Sequence, residues 1–126
     1  MFVQMLGANA TLTGTLQGRI YKGKRSDGKP TEECIVVNTP WVNHRRPQEG
    51  YTNINIHVPD EVHTIDGMQQ TMPGERMKIL TTIVLAILDE YNSYGFSVAT
   101  VQENAMAEST RAEHYNNLRI DWIYCN

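Results

Sequence analysis

Between Glu49 and Val62 the chain reads EGYTNINIHVPDEV, a stretch in which the side chains suited to a core fall on every second residue. Thr52, Ile54, Ile56 and Val58 belong to one side and Asn53, Asn55 and His57 to the other, which predicts a strand with one covered and one wet face. Pro59 has no N–H to give to a ladder, so the strand is expected to stop or to reach a sheet edge there. The covered face needs no comment. The three polar side chains opposite it are either a site or the solvated side of a sheet.

A different period follows. From Pro73 to Tyr94 the apolar residues Met77, Leu80, Ile83, Val84, Ile87, Leu88 and Tyr91 recur at three and four, the stripe of an amphipathic helix. Pro73 suits its first turn, Glu75 the positive end of its dipole and Gly95 a left-handed cap. Ile79 and Leu85 widen the stripe. The segment from Asp60 to Met72 has no sustained period and reads as a long loop.

The remaining elements are shorter. Met1 to Leu6 has the look of the end of a helix whose front is missing or very short, with Gly7 and Asn9 closing it. Leu12, Leu16 and Ile20 recur at four and suit a second helical turn, which Gly14 and Gly18 weaken. A strand begins at Arg19 to Tyr21, and Lys22 to Pro30 is a basic, turn-rich loop. Glu33 to Asn38 is a β-branched strand, apolar on both faces and so expected to be central, with Thr39 and Pro40 ending it. A polar connection with His44, Arg45, Arg46 and Pro47 at its tip leads to the alternating strand. Phe96 to Gln102 and Leu118 to Tyr124 alternate again, and the polar residues from Glu103 to Glu113 read as the loop between two paired strands.

Helices and strands in this order predict one α+β domain over residues 1–126. Its expected architecture is a mostly antiparallel sheet of four to five strands, with one long and one short helix on one face. Composition is consistent with that: 126 residues, 40% hydrophobic and 20% charged, are those of a globular domain with one core. The longest apolar run, Ile83 to Leu88, is far short of the roughly 20 residues that span a bilayer, and no membrane partner is expected. Cys34 and Cys125 lie far apart in the sequence and in no metal-binding spacing, which predicts free thiols and a reducing compartment. Asn9-Ala10-Thr11 fits a glycosylation acceptor by chance.

A net charge of −3 gives no global attraction to nucleic acid or anionic lipid, but the cations are unevenly spread. Seven of the eleven Lys and Arg residues lie between Arg19 and Arg46, among them Lys22, Lys24, Arg25, Arg45 and Arg46. These loops either touch phosphates or an acidic surface, or keep loop ends soluble; no aromatics interleave with them. Of the four histidines, none stands in a nucleophile, metal or phosphate motif. His57 and His63 are badly placed to share an ion, and Cys34 reads as a buried thiol more readily than as the partner of His57. No glycine pattern supports a phosphate cradle. The expectation is a non-enzyme without metal or cofactor.

LQGRIYKG, ECIVVNTP, GYTNINIHVPD, a long amphipathic helix and HYNNLRIDWIY, in that order, resemble bacteriophage tail-completion or tail-terminator (head-tail joining) proteins. The resemblance spans about Leu16 to Tyr124, and its carriers are Gly18 to Tyr21, Ile35 to Asn38, the Asn-Ile-Asn-Ile strand, Pro59, and His114-Tyr115 leading to Trp122. The chain departs from that family in its short first helix. The resemblance implies a ring-forming virion structural subunit of a phage or prophage, commonly a hexamer, made in the bacterial host cytoplasm. Its partners would be further copies of itself, the tail-tube protein and a neck or head-completion protein, with DNA passing through the lumen unread. The interface candidates are then Asn53, Asn55, His57 and the five basic residues just named. Two other classes remain open: a small-ligand enzyme or binding protein with a pocket over the sheet at Tyr51, Asn53, Asn55 and His57, and a nucleic-acid module using the basic loops.

Overall fold

The computed structural model describes residues 2–23, 33–45, 47–59, 61–65, 67–72, 75–90, 96–107 and 113–125. Within them the chain has a mixed α and β fold. In sequence order the elements are α1 (Phe2–Gly7), α2 (Ala10–Thr15), β1 (Arg19–Lys22), β2 (Cys34–Asn43), β3 (Gln48–Pro59), β4 (Glu61–Ile65), β5 (Met68–Met72), α3 (Glu75–Glu90), β6 (Phe96–Ala107) and β7 (Glu113–Tyr124). The main sheet has five strands in the order β1-β2-β3-β7-β6, antiparallel except for the β1–β2 pair. β4 and β5 form a separate two-stranded sheet.

The alternating strand is therefore central. β3 pairs with β2 on one side and with β7 along its whole length on the other, so the expected edge at Pro59 is not one. Pro59 is tolerated because it is the last residue of the ladder, opposite Glu113. The edges are β1 and β6. Ile54 and Ile56 are fully buried, and with Val37, Leu118 and Ile120 they meet Leu80, Val84 and Ile87 of α3 in one core. Each such side chain removed from water stabilises the fold by roughly 1.5–3 kcal/mol. α1 and α2 close the same core through Phe2, Leu6 and Leu12. Asn9 caps α2, its side-chain oxygen accepting from the Leu12 N–H at 3.0 Å. Pro73, Tyr91 and Gly95, assigned to the long helix and its ends, lie outside the described residues.

Four local expectations are corrected. Thr39 and Pro40 do not end β2; the strand passes through them by a one-residue bulge between Asn38 and Trp41, where a missing proline donor does no harm. Asp60 to Met72 is not all loop, since β4 and β5 pair there around a turn containing Gly67 at φ 78°. The polar run after Gln102 continues β6 to Ala107, because pairing with β7 outweighs the weak strand preference of Glu, Asn and Ala. Ile20, grouped with the second helical turn, lies in β1 and packs on the core from there.

One polar cluster fastens the N-terminal segment to α3. Glu33 is 4% exposed and receives both the Nε and the Nη2 of Arg76, at 2.7 and 2.8 Å, and the Gln17 N–H at 3.0 Å. Nη2 of Arg76 also donates to the Thr15 carbonyl at 2.6 Å. Burial alone pushes the Glu33 carboxyl up, but the Arg76 hydrogen bonds, the Gln17 N–H and the Arg76 charge together outweigh it and hold the group below its ordinary value. Gly18 is required beside it, for a Cβ there would stand 1.6 Å from the Glu33 carbonyl oxygen.

Candidate functional site: the open face of the sheet

With all three helices on one side, the other face of the main sheet carries Asn53, Asn55 and His57 along its middle strand. Register adds their neighbours. Asn117 lies opposite Asn55, Arg119 opposite Asn53, Tyr115 opposite His57 and Asp121 opposite Tyr51. The bulge in β2 shifts the alternation by one, so Trp41 falls opposite Tyr51 on this open face while Val42 turns to the core.

The side chains pair laterally. The Asn117 amide donates to the Asn55 oxygen at 2.6 Å and, more weakly, to Asn53 at 3.4 Å, forming a short amide ladder across the two strands. At one end of it His57 stacks on Tyr115 with ring centroids 5.0 Å apart, and the Tyr115 hydroxyl reaches the sulfur of Met106 at 3.0 Å. At the other end Trp41 stacks on Tyr51, 6.5 Å between centroids, and the Arg119 guanidinium lies 4.3 Å from the Tyr51 ring centre. A cation over a tyrosine face is a favourable contact. Arg119 also approaches Asp121 at 3.6 Å. Trp41 and Met106 are among the exposed large apolar side chains, at 49% and 41%.

The structure thus brings Asn53, Asn55 and His57 onto one surface but strings them out: Tyr51 and His57 are six residues apart on one strand, roughly 20 Å. A cavity of about 300 Å³ opens at the Trp41 end, lined by Tyr51, Glu49, Arg119, Asp121 and Ile123 among others; Asn53, Asn55 and His57 are not among its lining residues. Cys34 is opposite His57 in the register and is buried, with its thiol free of any disulfide. Of the basic candidates, Lys22 and Arg45 are exposed, and the Arg45 N–H donates to the Asn43 side chain at 2.6 Å. Lys24, Arg25 and Arg46 lie outside the described residues.

Sequence reasoning missed Asn117, Tyr115, Arg119 and Trp41. Three of them were within reach, since the alternation assigned to Leu118 onward extends back to Tyr115 and places Tyr115, Asn117 and Arg119 on the polar side. Trp41 was not, because its facing depends on the bulge.

No family model matches the chain, and no curated protein matches it in sequence.

Proposed function

We propose that the chain is a ring-forming virion subunit of the tail-terminator or tail-completion type, with the open face of its sheet as an assembly surface. The observation that carries this is the composition and state of that face. A flat, half-buried field of Asn53, Asn55 and Asn117, bounded by Trp41, Tyr51 and Arg119 at one end and by His57, Tyr115 and Met106 at the other, has the aromatic and Arg content of protein interfaces. Its side chains are already held by one another, so little rotamer freedom is lost when a partner covers them.

The order of motifs described above supplies the rest of the reading. Copies close into a ring, commonly a hexamer, by a contact between two different surfaces of each subunit. The ring stops tube growth by occupying its end, meets a neck protein on the far side and leaves a lumen through which DNA passes without sequence recognition. No catalytic residue or cofactor is required.

Native mass spectrometry and negative-stain images test this directly. Closed rings support it, and a strict monomer at high concentration with a defined ligand counts against it. An Asn53→Ala/Asn55→Ala variant that folds and still assembles fully removes the open face from the proposal.

A further inference from the structure

On the helix side of the main sheet lies a cavity of about 520 Å³. That volume falls within the roughly 300–1,000 Å³ of sites that hold small organic molecules. Its apolar wall is formed by Phe2 of α1, Val37 and Val42 of β2 and Trp122 of β7, residues that belong to the core or pack against it. The ionisable residues among the described ones that line it are both bases: Lys22, the last residue of β1, and His44, which follows β2. Both are exposed, and so stand at the mouth.

The aromatic part of the wall has a fixed shape. The Trp122 indole N–H donates to the buried Thr52 hydroxyl at 3.0 Å, which orients the ring and leaves it carbon to offer. Gly50 makes room for that ring, since a Cβ there would stand 2.6 Å from it. Phe2 leans on it at 57°, with 6.4 Å between ring centroids. A wall already ordered favours an apolar body, because little freedom is lost when one arrives. The mouth favours an anion: a lysine ammonium supplies charge and an imidazole an N–H donor, and a carboxylate accepts from both. These two bases stand together in a chain of net charge −3.

We infer that this cavity binds an amphipathic carboxylate, with its apolar body against Trp122 and Val42 and its head group at Lys22 and His44. The site is separate from the assembly surface, for its wall faces the helices while Asn53, Asn55 and His57 lie on the opposite face of the sheet.

The test uses the full-length chain with Trp41→Phe, which leaves Trp122 as its single tryptophan. Octanoate should change the Trp122 fluorescence saturably, with a dissociation constant below about 1 mM, and 1-octanol, which has the same body and no charge, should bind about tenfold more weakly. In the same background, Lys22→Gln/His44→Gln should weaken octanoate about tenfold and leave octanol unchanged, whereas Val42→Phe should weaken both and keep a cooperative thermal transition. No saturable change, equal affinity for the two compounds, or an octanoate affinity that survives Lys22→Gln/His44→Gln overturns the site. Ring formation is scored separately by native mass, so loss of the site leaves the ring reading standing, and absence of rings leaves the site standing.

Discussion

Along β3 two sets of side chains alternate on one backbone, and they serve opposite ends. Thr52, Ile54, Ile56 and Val58 are buried under helices, and even the polar member is satisfied: the Thr52 hydroxyl accepts from the Trp122 indole N–H at 3.0 Å and exchanges a hydrogen bond with Thr39 at 2.9 Å. Asn53, Asn55 and His57 are half-buried; Asn53 and Asn55 accept from Asn117 on the neighbouring strand and His57 stacks on Tyr115. The covered side is fixed by volume and shape, where a missing methylene is felt at once. On the open side the described contacts are lateral, an amide ladder and stacked rings across neighbouring strands. Substitutions one residue apart should therefore fail in different assays.

The largest effect falls where the backbone itself is crowded, and the next on the covered side. Gly18→Ala drives a methyl group into the Glu33 carbonyl and should cost about 4 kcal/mol or more, read as loss of the cooperative thermal transition. Ile56→Ala empties a fully buried site and should cost roughly 2–5 kcal/mol by denaturant titration, with no gain in oligomer. Arg76→Ala leaves the Glu33 carboxylate buried without its partner and should cost about 3 kcal/mol.

The same pair fixes the sign of a pH effect. Glu33 has its pKa lowered in the folded state from an ordinary 4.5, so its contribution is complete above that value and is lost as pH falls below it through the folded pKa. Wild type should lose stability over that acid window, and Glu33→Gln should flatten the loss; an unchanged acid limb in the variant would assign the loss to other carboxylates. The smallest effect on stability belongs to the open side. Asn53→Ala/Asn55→Ala should shift unfolding by about 1 kcal/mol, the loss of one part-buried amide hydrogen bond, while lowering the mass of the assembled species. If stability falls as far as it does in Ile56→Ala, the two faces are not separate in function.

Much of this comparison was legible in the chain. A period of two with Ile on one phase and Asn on the other is a local signal, and so is the stripe of α3. What escaped was set by partners distant in sequence. The bulge at Thr39 and Pro40 exists because β2 has to stay in register with β3 on both sides of a proline, and it alone decides that Trp41 faces outward. The extension of β6 through Glu103 and Asn104 depends on β7, not on residues that favour strands. The β4–β5 pair carried one usable cue in the sequence, Asp66-Gly67, a two-residue turn signal that the irregular flanks concealed. In the site, the Asn pair could be read, but its Asn117 partner needed the register to be known.

The Glu33 and Arg76 cluster also governs how the molecule opens. Thr15, Gln17, Glu33 and Arg76 join α2, the segment before β1, the start of β2 and the first turn of α3 through four hydrogen bonds. Two six-residue helices would ordinarily fray on their own, exchanging amide protons long before the sheet does. Tied here to the long helix, the amides of α1 and α2 are expected to exchange together with those of the α3 first turn, as one cooperative unit that comes loose in a single step when the arginine is removed.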